Sequence, residues 1–342
     1  MNTAMVIGGV EILPGQVRQL KVPVAKLYTD TDMSIPVHVT RARKTGPVVF
    51  VSAAVHGDEL NGIEITRRLI EKKIKLLKGT VIAVPMVNVY GVLNQSRYMP
   101  DRRDLNRCFP GSPKGSLAGR MAHIFLHEIV RHCDYGIDLH TGAIHRSNLP
   151  QIRANLDDEE TLSLAREFGV PVMLNANLRD GSLREAAVSN GAKILLYEAG
   201  QALRFDELSI QSGLKGILNV LSALGMIRKR RIRKKIEPFV ANRSDWVRAS
   251  ASGFVREYAT LGKQVEKGDL LAEINSPLGE LISQVVATRS GIVIGKQNIP
   301  LVQEGEAMYH IAFFGDDAEE VAEHIEMMQE MVKPVIAEQN DL

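Results

Sequence analysis

Cysteine is nearly absent: Cys108 and Cys133 are the only two in 342 residues. That count excludes a disulfide framework and a zinc site built on cysteine, and it makes the reducing cytoplasm the expected location. Long apolar runs are missing too. None reaches the roughly 18 residues needed to span a bilayer, so no membrane partner is expected. The opening MNTAMVIGGVEILPG has no basic segment followed by a long apolar core and a cleavage site, and it does not read as a signal peptide. A charge of one sign is also lacking. The 42 basic and 40 acidic residues leave a net +2, which offers nucleic acid no global field. What is present is 45% apolar and 24% charged residues, the balance of a globular chain long enough for two cores.

Four segments share one plan, an apolar run that delivers polar residues: GPVVFVSAAVHGDE (46–59), GTVIAVPMVNVYG (79–91), DYGIDLHTG (134–142) and GAKILLYEAG (191–200). Their continuous apolar character predicts strands buried on both faces of a mainly parallel sheet. Between them, residues 59–77, 116–132, 158–168 and about 205–225 carry helical spacing, with Ser116 as a cap for the second. Alternating strands and helices give an α/β fold, a mixed, mainly parallel sheet flanked by helices. Ligands in such sheets bind beyond the carboxyl ends of the strands. His56, His140 and Glu198 all fall at such ends.

The flanks have a different texture. Residues 1–45 alternate apolar and polar positions and read as an N-terminal β appendage to a catalytic domain over 46–227. At 228–235 stands RKRRIRKK, seven basic residues of eight. A nucleic-acid patch is conceivable there, but a solvated junction is the preferred reading, so no nucleic acid is expected. Residues 236–315 change to short strands and glycine turns with an internal repeat. SGFVREYATLGKQVEKGDLLAEI (252–274) aligns with SGIVIGKQNIPLVQEGEAMYHI (290–311), as two halves of a small sandwich or barrel. This lobe resembles biotinyl and lipoyl carrier domains, yet the linking stretch NSPLGELISQ (275–284) has no lysine to modify. A structural or gating lobe fits better than a swinging arm. Residues 316–342 read as an acidic helical tail.

His56, Glu59 and, 81 positions later, His140 form a candidate ligand set. Two imidazoles and a carboxylate suit Zn²⁺ and leave a fourth position for water. Glu59 is expected in the first turn of the following helix, where an isolated acid would simply face the helix dipole. Asp138 shares a strand face with His140 and is a candidate partner for its second ring nitrogen. His123 and His127 are spaced i, i+4 but are read, with His132, as packing or surface residues. Glu198 follows an apolar run in which a carboxylate is costly unless paired or functional, which makes it the candidate general base. A structural pairing with an arginine is the alternative. NQSRYMPDRRDLNRCFPG (94–111) holds four arginines and no helical period. It reads as a loop presenting cations to an acidic substrate. Cys108 within it has no nearby histidine and is read as packing.

Taken in order, His-Gly-Asp-Glu, Ser-Arg-Tyr with Asp-Leu-Asn-Arg-x-Phe, Asp-Leu-His-Thr-Gly and Tyr-Glu-Ala-Gly resemble the succinylglutamate desuccinylase/aspartoacylase family, a branch of the zinc carboxypeptidase-like hydrolases. The resemblance implies that His56, Glu59 and His140 bind one Zn²⁺ and that Glu198 is the general base, then acid. It implies that Asn106 and Arg107 bind a substrate carboxylate, and that Arg97 polarises the scissile carbonyl and stabilises the oxyanion. The expected activity is hydrolysis of the amide bond of a small N-acylated amino acid or a related carboxylate, a small acidic acylated substrate, with esters as further substrates. A carboxypeptidase acting on acidic peptides and a non-catalytic zinc-binding regulator remain the alternatives. A homo-oligomer is compatible with the sequence.

Overall fold

The structure is a computed structural model that describes residues 4–229 and 238–313. Most of the basic run 228–235 and the whole of the tail 316–342 lie outside the described residues. A short hairpin, β1 (Met5–Ile7) and β2 (Val10–Ile12), opens the chain, followed by two longer strands, β3 (Val17–Lys26) and β4 (Asp32–Arg41). The central layer then runs β5 (Val48–Ala53), α1 (Asn61–Glu71), β6 (Thr80–Val84), α2 (Val89–Leu93), α3 (Leu117–Glu128), β7 (Tyr135–Gly142), β8 (Arg146–Ala154), α4 (Glu159–Phe168), β9 (Val172–Asn175), α5 (Leu183–Ser189), β10 (Lys193–Gln201) and α6 (Glu207–Ala223).

The four apolar runs become the parallel centre of one sheet. β5 pairs in parallel with β6 and β7, and β7 in parallel with β10. Their continuous apolar character has a physical reason, because helices cover both faces. One face packs Phe50 and Ile82 against Phe125 of α3 and Ala187 of α5. The other packs Val51 and Leu139 against Ile65 of α1, Leu164 of α4 and Ile217 of α6. Ser116 caps α3 as expected, its Oγ accepting from Gly119 N at 3.2 Å. The flanking pairs are antiparallel. β4 joins β6, with β3 outside it, and β8 joins β10.

The remaining strands are β11 (Phe239–Ala241), β12 (Arg243–Arg248), β13 (Gly253–Glu257), β14 (Gln264–Val265), β15 (Leu270–Asn275), β16 (Leu281–Val286), β17 (Gly291–Gln297), β18 (Leu301–Val302) and β19 (Ala307–Phe313). The sequence repeat has a structural counterpart in its opening glycines. A Cβ on Gly253 would sit 2.6 Å from Asn275 O, and one on Gly291 would sit 2.2 Å from Ala312 O. Each repeat therefore begins where two backbones cross closely. A four-stranded sheet in the order β16-β15-β13-β18 covers a small core that includes Leu271, Ile274, Tyr309 and Ile311.

The opposing strands do not stop at the lobe. β17 pairs antiparallel with β8, placing Gly295 opposite Asn148. One sheet thus runs β12-β19-β17-β8-β10-β7-β5-β6-β4-β3, with Leu149, Leu174, Ile292 and Ile294 sealing the seam. Among the described residues no helix is long and apolar enough to cross a membrane.

Candidate metal centre and active-site cleft

The polar residues that end the parallel strands converge beyond their carboxyl ends. After β5 the chain turns sharply through His56–Glu59, closed by Glu59 N donating to His56 O at 3.2 Å. Gly57 is confined there by α2, since a Cβ at this position would lie 1.9 Å from the Gly91 carbonyl carbon. Glu59 stands two residues before α1 rather than in its first turn, where the acid is Glu64. Its carboxylate turns away from the helix. Oε1 lies 2.7 Å from His56 Nδ1, and Oε2 lies 2.8 Å from His140 Nδ1 and accepts from Thr141 N at 3.0 Å. The dipole explanation for Glu59 is therefore set aside by geometry.

His56, Glu59 and His140 are 4%, 2% and 5% exposed, and their ligand atoms lie within 4.8 Å of one another. The second nitrogen of each ring meets another carboxylate. His56 Nε2 is 3.1 Å from Asp104 Oδ1, and His140 Nε2 is 2.7 Å from Asp138 Oδ2. Asp138 in turn accepts from Ser52 Oγ at 2.7 Å. Rings held by carboxylates on one nitrogen, with the other aimed at a shared point, are the arrangement expected of metal-ligating histidines. The donor set fits one Zn²⁺.

Electrostatics agree with a site that wants a cation. Burial alone would lower the His56 and His140 pKa values. Glu59 and Asp104 outweigh it for His56, and Asp138 and Glu59 for His140, so both are raised. Burial would raise Glu59, but the two imidazoles hold it well below the usual carboxylate range. Asp58 is also buried, and its Oδ1 finds no hydrogen-bond partner among the described residues. Burial and then Glu59 raise its pKa.

A cleft of about 470 Å³ opens over this cluster, and every site residue expected from the sequence lines it: His56, Glu59, Arg97, Asn106, Arg107, His140 and Glu198. Arg97 reaches Glu59 Oε1 at 3.3 Å and Asp104 Oδ2 at 3.1 Å. Asn106 is buried, its Oδ1 accepting from Leu183 N at the start of α5 at 2.8 Å. Glu198 ends the apolar part of β10, beside His140 in the strand register. Its Oε2 accepts from Asn148 Nδ2 at 2.8 Å and lies 3.2 Å from Arg153 Nε. Pairing with an arginine and a place in the cleft therefore hold together.

The loop 94–111 is less uniform than its arginines suggested. Arg97 and Arg107 line the cleft, but Arg102 and Arg103 do not. Cys108 packs, its Sγ–H donating to Asp104 O at 3.3 Å. The rings of His123 and His127 lie 3.8 Å apart on α3, outside the cleft. Among the described residues they belong to no metal-competent cluster. A wider groove of about 730 Å³ runs between the loop after β7 and the lobe, and it contains no expected ligand or base.

Sequence reasoning missed several cleft residues: Asn148 and Arg153 on β8, Arg184 on α5, Arg146, Arg179 and Trp246. Arg184 is 7% exposed, and its Nη1 has no hydrogen-bond partner among the described residues. Burial and then Arg153 lower its pKa against an opposing pull from Glu198, and its Nη2 donates to Asn177 O. Asp104, the partner of His56 Nε2, was missed as well, although it stands within the quoted Asp-Leu-Asn-Arg. The others lie on elements with no apolar run to announce them.

The profile of the succinylglutamate desuccinylase/aspartoacylase catalytic domain matches residues 45–224. The chain belongs to this family. Among curated relatives, N-alpha-acetyl-L-2,4-diaminobutyric acid deacetylase of Halomonas elongata is 28% identical over 293 residues, which is 81% of this chain and 85% of that protein. Among solved structures, the product-bound ectoine utilization protein EutE (DoeB) of Ruegeria pomeroyi superposes with a TM-score of 0.77 at 24% identity, covering 87% of this chain and 95% of that one. A succinylglutamate desuccinylase from Silicibacter sp. TM1040 gives a TM-score of 0.76 at 24% identity, with coverage of 87% and 95%. These likenesses share the fold, including the small C-terminal β sheet. Family membership and the converged His56/Glu59/His140 set make the protein a metal-dependent amide or acyl hydrolase of this family's general type.

Proposed function

We propose that the protein hydrolyses the amide bond of a small N-acylated amino acid that carries more than one anionic group. One observation carries this reading. Six arginines line the cleft (Arg97, Arg107, Arg146, Arg153, Arg179, Arg184) against only two acids, Glu59 and Glu198, and both acids are already engaged. The Halomonas relative is named for a diamino acid, whose side-chain ammonium would find no free carboxylate here. An acidic leaving group suits the cleft better.

His56, Glu59 and His140 would hold the zinc ion, which when bound supplies Lewis acidity and lowers the pKa of water. The chain's own residues do the rest. Glu198 takes a proton from the attacking water and returns it to the leaving nitrogen. Arg97 faces the carbonyl oxygen as negative charge develops on it. Asn106 and Arg107 bind one carboxylate, and Arg184, buried and with Nη1 lacking a hydrogen bond among the described residues, binds another by charge-assisted hydrogen bonds. We read residues 46–227 as the catalytic domain, with the lobe over 236–315 closing one wall through Trp246.

Glu198→Gln should abolish turnover while zinc remains bound. A matched panel of N-acetyl and N-succinyl derivatives of acidic, neutral and diamino acids should give the highest kcat/KM for acidic leaving groups. Preference for a diamino acid would overturn the charge reading. A second reading, trimming of acidic peptides, draws on the adjoining cavity. Arg153 and Ala176 also line a second space of about 380 Å³ that holds Arg243 and Arg289. Short acidic peptides in the same panel decide between the two.

A further inference from the structure

We infer that Asn148 is a positioning residue for Glu198, and that it is held in register by the C-terminal lobe. The inference rests on Glu198 acting as the general base. Asn148 is 9% exposed and donates from Nδ2 to Glu198 Oε2 at 2.8 Å. Arg153 Nε approaches the same oxygen, at 3.2 Å. Arg153 Nε makes no hydrogen bond there, so Asn148 is the one hydrogen-bond donor to Oε2, and among the described residues Oε1 receives none. One hydrogen bond and one neighbouring guanidinium on the same oxygen favour a single rotation of the carboxylate and leave Oε1 as the atom free to accept a proton. A base must meet that proton at hydrogen-bonding distance, and small misplacements are costly to rate.

What holds Asn148 comes from the other half of the molecule. A row of side chains crosses four strands: Trp246 on β12, His310 on β19, Gly295 on β17 and Asn148 on β8, each opposite the next in the pairing register. The Trp246 and His310 rings stack at 4.6 Å and 7°. Gly295 is the gap that lets the row close. A Cβ there would lie 2.9 Å from Asn148 Oδ1 and 3.1 Å from His310 Cβ. Just beyond β17, Asn298 Nδ2 donates to Ser147 Oγ at 2.6 Å and to Gln201 Oε1 at 2.7 Å. The lobe therefore ties β8 to β10 beside the residues whose side chains must meet. On this account the lobe is more than a wall of the cleft, because it sets the aim of the base.

The test uses the full chain loaded with zinc, with the best substrate from the panel above. Asn148→Ala and Asn148→Asp should lower kcat by about 10- to 100-fold, a loss typical of misplaced reacting groups, with KM within about threefold of the parent and zinc stoichiometry unchanged. Gly295→Ala, a change in the lobe, should lower kcat in the same direction with KM again little moved. Asn148→Ser keeps a shorter hydroxyl donor and serves where the alanine variant fails to fold; it should fall between parent and aspartate. Normal kcat in the Asn148 variants beside an inactive Glu198→Gln overturns the positioning role and leaves the base standing. A rise in KM alone makes Asn148 a substrate contact and also overturns it. Turnover retained by Glu198→Gln removes the base, and both readings fall.

Discussion

Asp104 and Asp138 reach the metal centre from different parts of the chain and make the same contact, a carboxylate on the outer nitrogen of a ligand ring. Such a contact fixes ring orientation and raises ligand basicity. Asp138→Asn and Asp104→Asn should each weaken zinc binding by about 10- to 100-fold, measured by competition with a chelator. Asp138 should have the larger effect. Its contact is shorter, 2.7 Å against 3.1 Å, and it is the more buried of the two. Unchanged affinity in both variants would show that the rings are held by packing alone. The two acids were not equally legible. Asp138 lies two residues before its partner on one strand, so side-chain alternation announces it. Asp104 lies 48 residues from His56, in a loop whose path nothing local dictates.

At the scale of elements, two features bear directly on the site. The turn between β5 and α1 is pressed against α2 at Gly57, where the opposing atoms are backbone and cannot give. Gly57→Ala should therefore lower Tm and zinc content together, read by thermal denaturation and metal analysis. Downstream, α1 is pinned to α6 by an ion network. Glu64 accepts from Arg67 Nε at 2.7 Å and Arg68 Nε at 2.6 Å, and Arg68 Nη1 donates to Glu207 at 2.6 Å. Hydrogen bonding to Arg67, and then Arg68, against an opposing push from burial, lowers the Glu64 pKa from 4.5 to about 2. The folded value lies below the unfolded one, so this stabilisation is full above about pH 4.5 and is lost as pH falls towards 2. Glu64→Gln should flatten that acid limb of the stability curve, followed by denaturant titration at several pH values. The elements themselves were unequally readable. β5, β6, β7 and β10 were evident because double-sided burial forces an unbroken apolar run. β8 was not. It carries Asn148 and Arg153, polar residues that line the cleft, with Pro150 and a fully buried Gln151 between them, so no apolar run marks the strand.

For the whole molecule, the decisive feature is that the lobe and the α/β layer share one sheet. Trp246 brings this out in a measurable way. It is the only tryptophan in the chain and lines the cleft, with the Arg146 guanidinium 5.1 Å from its ring centroid. A carboxylate ligand entering the cleft should draw Arg146 away and change the intrinsic fluorescence. Titrating the inactive Glu198→Gln protein with substrate should give a saturable signal. No change at saturating ligand would mean that the lobe wall stays clear of the bound molecule.

The sequence by itself determined the parallel centre, the ligands His56, Glu59 and His140 in order, and Glu198 at the last strand end. Each is a local signal, a polar residue where an apolar run stops, and strand ends in an α/β sheet are where ligands gather. Only the tertiary structure decided that Asp104 turns to His56, that Arg184 is buried at the cleft, and that Asn148 meets Glu198 beneath a strand contributed by the lobe. Those relations depend on pairings between segments 48 to 147 residues apart, and chemistry at such distances is set by how sheets join rather than by any pattern along the chain.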